Sequence, residues 1–83
     1  MRLTVEVKDG IEGLGERIKY VLIKKGMSQA ELARRTGMCK EFVTKIIRGD
    51  AYPTITNACK IARELNVSLD WLAGLNESEE TVA

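Results

Sequence analysis

The 83-residue sequence predicts an all-α fold of five short helices behind a short N-terminal β-strand or arm. Three observations carry that expectation. Aliphatic residues recur at helical spacing through the middle of the chain. Glycines and capping side chains cut this pattern into short segments. Only four residues are aromatic although 45% are hydrophobic, an aliphatic composition suited to a small helical bundle. A chain of this length buries only about 60–65% of the surface it exposes when unfolded, which argues for one domain without a large cleft.

At the N-terminus Leu3, Val5 and Val7 alternate with Arg2, Thr4, Glu6 and Lys8, the period-two pattern of a strand. No other segment reads as a second strand, so this one must pair with another chain, pack as an arm or stay disordered. Pairing with a symmetry mate would make residues 1–10 a dimerisation element. After Asp9-Gly10, apolar positions at Ile11, Leu14, Ile18, Val21, Leu22 and, less regularly, Ile23 mark a first helix. Gly13 and Gly15 weaken its start, which falls between Ile11 and Leu14, and it ends at Gly26 behind Lys24 and Lys25.

Ser28-Gln29-Ala30-Glu31 is a capping box that starts a second helix at Gln29. This helix turns Leu32 and Ala33 inward and Arg34 and Arg35 outward, then stops at Gly37. In the third helix Met38, Val43, Ile46 and Ile47 form the inward face, and Lys40, Glu41, Thr44, Lys45 and Arg48 the outward one. Thr54 caps a fourth helix lined by Ile55, Ala58, Cys59, Ile61, Ala62 and Leu65, with Asn66 as its stop. Ser68 caps a last short helix whose Leu69, Trp71 and Leu72 close the core. The helical domain is thus expected over 11–75, followed by an acidic polar tail over 76–83.

The net charge of +1 conceals a strong polarity along the chain. Residues 17–48 hold nine basic side chains against Glu31 and Glu41, and the rest of the chain holds four basic against ten acidic ones. A basic segment of this size is the electrostatic footprint expected of a nucleic-acid binder. No apolar run approaches the roughly 20 residues of a membrane span, and the N-terminus lacks the pattern of a signal peptide, so a cytoplasmic protein without membrane contact is expected. Cys39 and Cys59 lack CxxC spacing and read as reduced thiols. With no histidine, no Gly-rich phosphate loop, no metal-ligand cluster and no nucleophile beside a base, neither an enzyme nor a cofactor or metal site is expected.

Two short helices joined by a tight glycine turn, the second presenting polar residues outward, make a helix-turn-helix over residues 28–48. Ala33 must be small where the helices cross, Gly37 must permit the turn, and Val43 and Ile46 must anchor the second helix from below. The segment LGERIKYVLIKKGMSQAELARRTGMCKEFVTKIIRGD, followed by NVSLDWLAGL, resembles the Cro/phage-repressor (Xre-type) helix-turn-helix family over about residues 14–75. That resemblance implies a five-helix phage-repressor-like domain that binds double-stranded operator DNA as a homodimer, with the third helix, about 39–48, in the major groove.

Carried over by position, the resemblance makes Lys40, Glu41, Thr44 and Lys45 base-reading residues. Lysine would donate to guanine O6 and N7, glutamate would accept from cytosine N4, and threonine would serve through its hydroxyl or its methyl. Ser28 and Gln29 match positions that contact the DNA backbone, with Arg48, Tyr52, Arg35 and Lys25 as further phosphate candidates. Three positions depart from the family pattern. Leu22 and Ile47 stand where an arginine and a glutamate commonly pair, which predicts apolar contact in place of an ion pair. Cys39 replaces a Ser or Thr cap, so the third helix should be weakly capped. A thiolate switch favoured by Lys40 and a small inert side chain are both readings of this cysteine. Phe42 replaces a small polar residue and would either wedge against the DNA chain or a thymine methyl, or fold back onto the domain. Among functions, a repressor, a restriction-modification controller and an antitoxin would share these features, with protein concentration, an unseen protein partner or an unseen ligand as the alternative means of regulating any of them. A protein-interaction module is the rival of a different class.

Overall fold

The computed structural model describes residues 13–75, and the expected N-terminal strand and acidic tail lie outside them. Five helices follow in order: α1 (Leu14–Lys25), α2 (Gln29–Thr36), α3 (Lys40–Arg48), α4 (Ile55–Leu65) and α5 (Leu69–Leu72). Each begins and ends where local chemistry dictates. The side chains of Ser28, Thr54 and Ser68 accept hydrogen bonds from the backbone amides of Glu31, Asn57 and Trp71, relieving donors that α2, α4 and α5 would otherwise leave unpaired. Cys39 occupies the matching position of α3 and makes no side-chain cap, as its thiol led us to expect. Gly37 takes the left-handed conformation at φ 77° and reverses the chain into the tight connection between α2 and α3. Asn66, at φ 58°, ends α4 in the same way.

The helices pack in a closed circuit. α1 lies against α3, α3 against α2, α2 against α4, α4 against α5, and α5 returns to α1. Every helix sends at least one fully buried aliphatic side chain to the centre: Ile18 and Val21, Leu32, Val43 and Ile46, Ile61 and Leu65, and Leu72. Thr36 is the buried polar residue among those described, and its hydroxyl donates to the carbonyls of Leu32 and Ala33 one turn back. The last short helix is tied to the first by side chains. The Arg17 guanidinium reaches the Leu72 carbonyl at 3.5 Å, between Gly13 and Gly74, where a Cβ at either would come within 3.0 Å of it. The rings of Tyr20 and Trp71 lie beside it, 6.2 Å apart.

Gly15 differs from the sequence reading. It is buried, and a Cβ there would stand 2.2 Å from the Ile47 carbonyl oxygen. A glycine that weakens the helix by propensity is therefore the residue that lets α1 approach the backbone of α3. Leu22 is buried, and Ile47 packs half-buried against the same core, so aliphatic side chains fill the two departing positions. Phe42 also packs against the core, which selects the fold-back alternative. Ile55 was expected to line α4 inward, but it is 69% exposed because the first turn of that helix projects beyond the packed centre. Ile23 is likewise exposed on the outer side of α1.

Candidate nucleic-acid interface

The exposed side of α3 is built by the same periodicity that buries its other side. Val43 and Ile46 point to the core with Phe42 and Ile47 packed beside them, which leaves the opposite side of the helix to face outward. Lys40, Glu41, Thr44, Lys45 and Arg48 consequently surround one open depression of about 210 Å³. These are the four residues assigned to base reading together with one assigned to phosphate. Lys40, Glu41, Lys45 and Arg48 are exposed and Thr44 is partly buried. An opening of this kind, walled by three cations, one carboxylate and a hydroxyl, offers hydrogen-bond donors and acceptors to a polar partner laid along the helix.

The start of α2 joins this face. Gln29 is its first residue, next to the Ser28 cap, and its side-chain oxygen accepts a hydrogen bond from the Thr44 hydroxyl at 2.9 Å. This link between the two helices was not legible from their separate patterns. Arg48 pairs with Asp50 at 3.1 Å just beyond the end of α3. Tyr52 stands elsewhere, on the rim of an apolar groove of about 400 Å³ that Leu14, Pro53, Ile55, Leu69 and Leu75 help to line.

Half of the expected capping box forms. The Ser28 hydroxyl accepts from the Glu31 amide at 3.0 Å, but the Glu31 carboxylate turns along the helix to Arg34 at 2.5 Å and Arg35 at 2.7 Å. Hydrogen bonds from Arg34 and then Arg35 hold the Glu31 carboxyl at about 2, below its ordinary 4.5, and the Arg34 guanidinium is raised in return. Their spacing of three and four residues was the available signal for this cluster. Arg35 is thus held by Glu31 on the surface of α2. Arg17, counted with the basic segment, braces α5 and is not part of the α3 face. Among the described residues no cluster of three or more potential metal ligands occurs, and no helix is long and apolar enough to cross a membrane.

A family model described as helix-turn-helix matches residues 18–72. The chain is 40% identical over 65 residues to an uncharacterized HTH-type transcriptional regulator of Haemophilus influenzae, covering 78% of this chain and 27% of that protein. It is 38% identical over 69 residues to the HTH-type transcriptional regulator SinR of Bacillus licheniformis, covering 82% of this chain and 60% of SinR. The chain therefore spans between about a quarter and three-fifths of the length of these two relatives. Among solved structures, SinR in complex with DNA superposes with a TM-score of 0.68 at 35% identity, over 71% of this chain and 95% of that one. The restriction-modification controller protein C.AhdI of Aeromonas hydrophila superposes with a TM-score of 0.70 at 27% identity, over 75% and 94%.

Proposed function

Because the chain belongs to the helix-turn-helix family of DNA-binding transcriptional regulators, we propose that it acts as a repressor, a homodimer on a palindromic operator with α3 in the major groove. The single observation that carries this reading is the grouping of Lys40, Glu41, Thr44, Lys45 and Arg48 around one open face of α3. In this division of labour Lys40, Glu41, Thr44 and Lys45 meet base edges, and Ser28, Gln29 and Arg48 meet phosphates. Arg35, on the outer surface of α2, acts at the margin of the contact. Lysine donors and a glutamate acceptor favour G·C pairs at the positions they reach.

Self-association has its own support. Tyr52, Ile55 and Leu75 are three of the five exposed large hydrophobic residues described, and all three border the apolar groove. A two-fold assembly would place two copies of α3 about one DNA turn apart, near 34 Å. The likeness to C.AhdI favours a restriction-modification controller as the second reading, with the same α3 face engaged.

Selection of bound sequences from a random DNA pool tests the proposal. A palindrome with half-sites one helical turn apart is expected, bound with an affinity that falls steeply as salt rises. Purified protein with no salt-sensitive DNA binding would overturn it. An unchanged sequence preference in Lys40→Ala or Glu41→Ala would remove those residues from base reading.

A further inference from the structure

A hydroxyl carries a single proton, and in this protein the proton of Thr44 is already committed. It points to the Gln29 side-chain oxygen at 2.9 Å, across the turn from α3 to the first residue of α2. From this we infer that Gln29 and Thr44 work as one unit, in which Gln29 restricts Thr44 to accepting a hydrogen bond from the operator. The inference rests on the DNA-binding reading above and specifies it at one position.

With its proton engaged, Thr44 offers DNA only oxygen lone pairs and its methyl group. Adenine N6 and cytosine N4 present amino donors in the major groove and match those lone pairs, whereas guanine O6 and N7 and thymine O4 are acceptors and would face them with no proton between. The carboxamide of Gln29, its oxygen occupied, has only its NH₂ group left to offer. That group is at the N-terminus of α2, where a phosphate is favoured by the helix dipole and free amides.

The chemistry of phosphate then fixes the direction of the whole chain of bonds. A phosphate oxygen accepts and does not donate, so it selects the Gln29 NH₂ and turns the Gln29 oxygen toward Thr44. Base amino group to Thr44, Thr44 to Gln29, and Gln29 to phosphate form a relay in which every donor points toward the anion. Bonds aligned in this way polarise one another. Contact with the DNA backbone and discrimination at one base are thereby linked, although the two residues lie on different helices.

Operator selection with the full chain and three variants tests this. The wild type should prefer adenine or cytosine at one position per half-site, by roughly tenfold over guanine, the scale of a single lost base contact. Thr44→Val keeps the shape and removes the oxygen, and Gln29→Ala frees the Thr44 proton. Both should reduce discrimination to less than about threefold at that same position and leave the others intact. Gln29→Glu still accepts from Thr44 but repels phosphate, so it should keep the preference and weaken binding to all sequences alike. The inference is overturned if Gln29→Ala lowers affinity with every preference retained, or if Gln29→Ala and Thr44→Val relax different positions. If the wild type enriches no sequence, the DNA-binding reading itself falls and takes the inference with it.

Discussion

At Gly15 a single missing side chain decides how α1 meets α3. Alanine there would raise helix propensity by up to about 1 kcal/mol. Its Cβ would also stand 2.2 Å from a backbone carbonyl that no side-chain rotation can move. Overpacking of this kind commonly costs about 1–3 kcal/mol, and steric repulsion against main chain belongs at the upper end. Gly15→Ala is therefore expected to lower the stability by about 2 kcal/mol in urea unfolding, against the direction that propensity gives. Cys39 offers the opposite case. Its position is an uncapped N-terminus of α3, and Cys39→Ser supplies a competent acceptor, so a gain of about 0.5–1 kcal/mol is expected in the same measurement. The missing cap could be read from the sequence because thiol chemistry is local. The role of Gly15 could not, because the atom that excludes a larger residue belongs to a segment 32 positions further along the chain.

Helix boundaries obeyed local rules more closely than helix faces did. Ser28, Gly37, Thr54, Asn66 and Ser68 end or begin their helices as their side chains and backbone preferences dictate. Spacing alone put Ile55 on the inner face of α4, yet periodicity gives the direction of a side chain and not how far the neighbouring helices extend to cover it. The Glu31 cluster gives α2 a pH dependence of definite sign. The carboxyl is held at about 2 in the folded chain against an ordinary value of 4.5, so the folded state favours its charged form. Its contribution is present above about pH 4.5 and is lost as the pH falls toward 2. Thermal unfolding across that interval should show Glu31→Gln with a shallower acid loss than the wild type, and a smaller difference at high salt.

For the molecule as a whole, a net charge of +1 coexists with a locally basic face, and the closed helix circuit explains how. It brings α3 and the start of α2 together and turns Arg17 away to brace α5. The charge polarity along the sequence pointed to this face, but assigning each cation required the fold. Arg48→Ala separates binding from stability. The Arg48–Asp50 pair is exposed, so its removal should change unfolding free energy by less than about 1 kcal/mol. If Arg48 meets a phosphate, the logarithmic salt slope of DNA binding should fall in magnitude by about 1 in the same variant.

The close seat of α3 on α1 also bears on how such a protein diversifies. α3 is held by Val43, Ile46 and the main-chain approach at Gly15, whereas Lys40, Glu41 and Lys45 stand outside that contact. If these exposed side chains read bases as proposed, one copy would acquire a new genomic address after gene duplication through substitutions there, with the framework kept. The helix can be rewritten in place, but it cannot be shifted, so new specificities in this lineage are expected to come from changed side chains on an unchanged pose.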